Sequence, residues 1–229
     1  MADGARRHLG PVAPSISAPA SGVRVVRQLV LVLDMQARLA SAILGPDGGT
    51  MITARELIDE YLDALVAAGP EGVREYAFDD RDAWTARATL ALVKAGRRVT
   101  GAVEAASRGT KDRYYRSEYL CLDVTLYDNA GWKPPLFIAE HENYGGRMKV
   151  QYCAWKLLVV EAQRRMLVAY FGAGTEFETF DQLRDAVRVV CQDNRGKDII
   201  LVAGNNGSMP KNPDELRDVH DSVIVGVHS

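Results

Sequence analysis

Two apolar runs that each carry carboxylates constrain this chain more than any other feature. The first, Tyr119 to Tyr127, sets Asp123 among Leu120, Leu122, Val124 and Leu126. The second, Pro135 to Ala139, delivers Glu140-His141-Glu142. Such runs, rich in β-branched, aromatic or long apolar residues and bounded by turn formers, predict strands. Asp128-Asn129-Ala130-Gly131 between them is turn chemistry, so an antiparallel hairpin is the simplest pairing. A carboxylate embedded in an apolar strand is costly unless it is paired or bound to a cation. Side chains alternate along a strand, which puts Glu140 and Glu142 on one side and His141 on the other. With Asp123 on the neighbouring strand, three acids converge, and a hard divalent cation is the usual remedy for like charges that close. The competing account leaves Glu142 in water at the strand exit and has Asp123 cap the backbone or pair with an arginine.

After Glu142 the chain turns through Asn143-Tyr144-Gly145-Gly146-Arg147 into a helical pattern beginning near Lys149 and reading Gln151-Tyr152-Cys153-Ala154-Trp155-Lys156. An acid in one strand, a strand ending in E-x-E or E-x-K, and then a helix resemble the PD-(D/E)XK nuclease superfamily. The resemblance covers roughly residues 100–172 and rests on a short, degenerate motif. It implies that Asp123 and Glu140 are the metal-binding acids. Glu142 falls where lysine is commonest in that family, although some restriction endonucleases carry glutamate there. The helix is similar to the glutamine-containing helix of the exonuclease branches, with Trp155 where those have tyrosine, and Lys149 or Lys156 would replace the missing lysine. The resemblance further implies Mg²⁺ or Mn²⁺ held by Asp123, Glu140 and Glu142, and hydrolysis of nucleic acid, with DNA ahead of RNA. A homodimer is the assembly it suggests. A second reading keeps the nuclease fold without its chemistry, as a binding or scaffolding subunit of a multi-protein assembly; the absence of lysine at position 142 favours it.

Arg108 to Arg116 is the most basic short segment, and tyrosines interleave with its charges. Arg113, Tyr115 and Arg116, with Arg147 and Gln151 beyond the hairpin, are the candidate nucleic-acid contacts, since cations hold phosphates and tyrosines stack on bases. A solvated loop is the plainer explanation of that segment. Glu104 or Glu118 is a candidate for a further acid of the kind the family recruits ahead of its hairpin.

The remaining pattern predicts a mixed central β-sheet flanked by helices, with a restriction-endonuclease-like core over 107–229. Residues 1–22, rich in Ala, Pro, Ser and Gly, read as a disordered tail, and 23–106 as a helical region packed with the core. Within that region the run from Val23 suits an amphipathic helix ending at Gly45 to Gly49, with a strand over Val30 to Leu33 as the alternative. Thr53-Ala54-Arg55-Glu56 is a capping box for a helix that Gly69-Pro70 stops, with Asp59, Glu60 and Asp63 on its solvated face. Asp79 to Ala106 reads as one or two helices with a break at Gly96, which places Glu104 on a helix. Downstream, Arg165 to Phe171, Asp198 to Ala203 and Ser222 to Val227 read as strands, and Thr179-x-x-Gln182 opens another helix.

The formal net charge of −2 gives no general basic field. Cys121, Cys153 and Cys191 form no C-x-x-C pair, which argues against zinc and structural disulfides and points to a reducing cytoplasm. Cys153 and His141 lack the spacing of a nucleophile and base. No P-loop, glycine fingerprint or nucleophile elbow occurs. The run Val23 to Leu33 is too short and too charged to span a bilayer, so no membrane partner is expected.

Overall fold

The computed structural model describes residues 53–77, 81–102, 104–107, 121–128, 134–143, 146–194 and 196–226. The tail, the helix expected after Val23, Arg113, Tyr115, Arg116 and Glu118 lie outside the described residues.

Helix α1 (Ala54–Val66) starts at the expected capping box: the Glu56 N–H donates to Thr53 Oγ1 (3.2 Å), and the Thr53 N–H donates to Glu56 Oε2 (2.9 Å). Gly69-Pro70 does not simply stop the chain. It opens α2 (Gly69–Ala77), with Gly69 at φ +67° and proline in the first turn, where its missing N–H costs nothing. Helix α3 (Arg81–Thr100) runs through Gly96 without a break. A Cβ there would strike Leu126 and come within 2.7 Å of the Phe137 ring, so glycine lets the helix lie close to the sheet.

The helix expected to continue to Ala106 ends at Thr100 instead. Gly101 takes φ +68° and its N–H closes on Arg97 O (2.9 Å), an αL termination that turns the chain into β1 (Glu104–Ser107). Glu104 therefore sits on a strand, opposite Tyr127, and not on a helix.

Strands β2 (Val124–Tyr127), β3 (Phe137–His141), β4 (Arg164–Phe171), β5 (Ile199–Asn205) and β6 (His220–Val225) complete a six-stranded mixed sheet in chain order. The outer pairs on both sides are antiparallel, whereas β3–β4 and β4–β5 are parallel. The expected hairpin is thus present, though β2 begins only at Val124 and leaves Asp123 just ahead of it. Helix α4 (Arg147–Val159) makes the crossover from β3 to β4, and α5 (Phe180–Gln192) the one from β4 to β5. A short α6 (Glu215–Asp218) precedes β6.

Alternation along β4 divides the core. Met166, Val168 and Tyr170 join the α1 and α3 side with Leu126 and Phe137, while Leu167, Ala169 and Phe171 join α4 and α5 with Ile138 and Leu201. Arg165, buried on the α4 side, donates to Leu157 O (2.8 Å) and Val160 O (3.1 Å), satisfying carbonyls that the end of α4 leaves open. The acids expected on α1's solvated face are tied down: Arg217 of α6 reaches Asp59 (3.2 Å) and Asp63, and Arg98 reaches Glu60 (3.0 Å). Residues from Ile52 onward form one unit, so α1 to α3 belong with the sheet. No helix among the described residues is long and apolar enough to cross a membrane.

Candidate active site

The pairing of β2 with β3 decides where the acids fall. Val124 lies opposite Ala139, so the register carries Asp123 to the level of Glu140, one residue beyond the paired ladder of the hairpin. The two are joined through the backbone: the Asp123 N–H donates to Glu140 Oε1 (3.3 Å) and the His141 N–H donates to Asp123 Oδ2 (2.8 Å). Glu140 shares strand parity with Ile138 and so faces the α4 side, where it is only 2% exposed. This is the carboxyl end of the parallel strands, the edge at which open α/β sheets commonly bind ligands.

Helix α4 supplies the counter-charge. Lys156 Nζ lies 2.7 Å from Glu140 Oε2 and also donates to Cys121 O (2.7 Å). Of the two lysines expected to stand in for the family's missing one, Lys156 is the one on the acid; Lys149 lies exposed in the first turn of the helix. Burial first, and the field of Asp123 second, push the Glu140 carboxyl up to about 7, against the pull of Lys156. Burial works against charge on Lys156, but its bond to Glu140 and that carboxylate's field outweigh this and hold the ammonium above its usual range. Near neutral pH burial and the neighbouring acid therefore keep part of the Glu140 carboxyl protonated, while Lys156 stays charged.

The third expected acid meets the site through Cys153, whose thiol bonds Glu140 and reaches Glu142. Glu142 is half-buried, with Oε2 3.9 Å from the Cys153 thiol, and no group of three His, Cys, Asp or Glu side chains gathers as a metal centre among the described residues. Asp123 and Glu140 nevertheless fit a hard divalent ion as a pair of oxygen donors, one from the residue just ahead of β2 and one from β3. Cys153 is buried in α4 as expected, and burial pushes its thiol up, far from a nucleophile's range.

The candidate nucleic-acid contacts of α4 separate. Arg147 is exposed, with its guanidinium 5.3 Å from the centre of the Phe177 ring. Gln151 spends its amide on Ala186 O (3.2 Å), tying α4 to α5.

The opposite face of β3 holds a cluster that sequence reasoning did not assemble. His141 Nε2 lies 2.8 Å from Tyr170 Oη, which accepts from Trp84 Nε1 (2.5 Å). Tyr76 packs edge-on to Trp84 and tilts against Tyr170 and His220. Burial drives His141 down to about 3 and His220 to about 4, so both are neutral at ordinary pH. Beside them opens a cleft of about 350 Å³ lined by Tyr76, Trp84, Asn143 and Tyr170 among others. The five partners come from α2, α3, β3, β4 and β6, and only the strand alternation that sends His141 away from Glu140 hinted at it.

No protein-family model, curated protein or solved structure matches this chain.

Proposed function

We propose that this protein is a metal-dependent nuclease of the PD-(D/E)XK type, with a restriction-endonuclease-like core, acting on nucleic acid and on DNA ahead of RNA. The observation that carries this reading is Lys156 reaching from α4 to Glu140 at the level of Asp123, which assembles two acids and a lysine from the strand, strand and helix of the resemblance. The lysine absent from position 142 is thereby supplied from the helix. Asp123 and Glu140 would hold Mg²⁺ or Mn²⁺, and Glu142 would stand at the rim as an outer ligand or base. When bound, the ion polarises the phosphate and lowers the pKa of an attacking water. Lys156 holds its ammonium where it can exchange the Glu140 carboxylate for a phosphate oxygen and offset the charge that develops there. A homodimer would let two such sites address two strands.

A second reading, a nuclease fold without catalysis serving as a binding or scaffolding subunit, is favoured by one observation. Glu140 is buried and already neutralised within the fold, and Glu142 does not close a three-acid centre.

Titration calorimetry with Mn²⁺ and Mg²⁺ on the wild type, Asp123→Ala and Glu140→Ala separates the two. The nuclease reading expects binding that both variants lose, with cleavage of single- or double-stranded DNA lost alongside. Folded wild-type protein that neither binds metal nor cuts DNA or RNA would leave the non-catalytic reading.

A further inference from the structure

Helix α4 carries a face that the described residues leave uncovered. Met148, Tyr152, Trp155 and Val159 recur at four, three and four residues, and they are among the most exposed large apolar side chains described: 84%, 54%, 49% and 51%. A stripe at that spacing normally faces a partner. The Tyr152 and Trp155 rings stack on one another, with centroids 5.8 Å apart and planes 21° from parallel. Lys156 Nζ stands 5.4 Å over the Tyr152 ring while it holds Glu140, so the aromatic face is continuous with the acid pair. Arg147, Lys149 and Lys156 lie on this helix, and it contains no Asp or Glu, in a chain whose formal net charge is −2.

We infer that the exposed face of α4 is a stacking platform for single-stranded nucleic acid, leading a strand to the Asp123–Glu140–Lys156 site. This deepens the proposed nuclease reading and rests on it for the chemistry, but not for the binding. Every base has a π-face, so exposed aromatic side chains flanked by cations hold a single strand with little regard to sequence. The stripe is about 16 Å long at the α-helical rise, which matches four to five nucleotides stacked at about 3.4 Å each. A second copy of this chain is the other natural occupant of such a stripe. Pairing α4 with α4 would set Arg147 and Lys149 of each copy against a helix that carries no acid, Lys156 being already paired with Glu140. A polyanion meets the same charges favourably.

The test uses the full chain in EDTA and low salt, with a fluorescein-labelled oligodeoxythymidylate of about 12 nucleotides followed by anisotropy. Tyr152→Ala and Trp155→Ala are each expected to weaken binding about 10-fold, the lower part of the range for loss of one base stack, and Trp155→Phe to recover most of it. Circular dichroism and thermal melting show that each variant is folded; both side chains are exposed. Wild-type affinity in both alanine variants would overturn the platform, whether or not the protein cuts DNA. A dimer in sedimentation that both alanine variants dissolve, with oligonucleotide binding unchanged, would overturn it in favour of self-association. Binding that these variants lose in a protein that never cleaves would sink the nuclease reading and leave the platform standing.

Discussion

At the scale of single residues, the pair Glu140–Lys156 behaves differently with pH because the acid sits near neutrality. An ionised, buried carboxylate that loses its cation is a large penalty, about 3 kcal/mol or more. A protonated one is far cheaper. Lys156→Met is therefore expected to cost about 3 kcal/mol in urea unfolding at pH 8, and clearly less near pH 5.5, below the Glu140 value of about 7. Glu140→Gln combined with Lys156→Met removes both charges and should recover most of the loss. Equal destabilisation at both pH values would show that Glu140 stays ionised throughout. The same proton competes with any cation at the site, so Mn²⁺ affinity is expected to fall as pH drops below about 7, approaching tenfold per pH unit. Calorimetry at successive pH values reads that slope directly, and a pH-independent affinity would place the ion elsewhere than on Glu140.

At the scale of elements, the close approach of α3 to the sheet rests on Gly96. Replacing it with alanine puts a methyl group against Leu126 and the Phe137 ring, the latter at 2.7 Å. Helix propensity alone favours alanine by about 1 kcal/mol, whereas overpacking a tight core costs typically 1–3 kcal/mol. Gly96→Ala is therefore expected to destabilise on balance, and a rise in the urea midpoint would show that the helix simply shifts outward. This glycine also shows where the sequence misleads. Read locally it is a helix break; only the position of β2 and β3 explains it. Elements with strong periodicity or a cap, namely α1, β3, β4, α5 and β5, are legible because local pattern and tertiary burial agree. β1 was hidden, since Val99 to Ala106 suits a helix until Gly101 takes a left-handed turn. α2 was hidden because Gly-Pro both ends and begins helices. The hairpin and its acids were legible from alternation. Which lysine reaches Glu140 was not, for Lys149 and Lys156 lie seven positions apart and so share a helical face; only the crossing of α4 over the sheet separates them.

On the scale of the whole molecule, β3 divides two environments, and acid tests both at once. On one side His141 and His220 are held neutral, at about 3 and about 4 against an ordinary 6.5. The unfolded chain binds their protons first, so their contribution is complete above pH 6.5 and is lost as pH falls through the unfolded value towards the folded ones. Across β3, Glu140 works in the opposite sense. Its folded pKa of about 7 exceeds the ordinary 4.5, so the native state binds the extra proton, and its contribution grows as pH falls below 7. Between pH 6.5 and about 5.5, the uptake at the histidines on unfolding rises from about one proton to nearly two, while Glu140 releases about one. One proton is worth about 1.4 kcal/mol per pH unit, so the wild type is expected to lose up to about that much over this window. His141→Gln with His220→Gln removes the dominant side, and Glu140 alone should then make the protein about 1 kcal/mol more stable over the same window. Unfolding free energies at closely spaced pH values measure both slopes. A wild type whose stability rises from pH 6.5 to 5.5 would mean that the histidine cluster opens to water through the Tyr76–Trp84 cleft and titrates as it does in the unfolded chain.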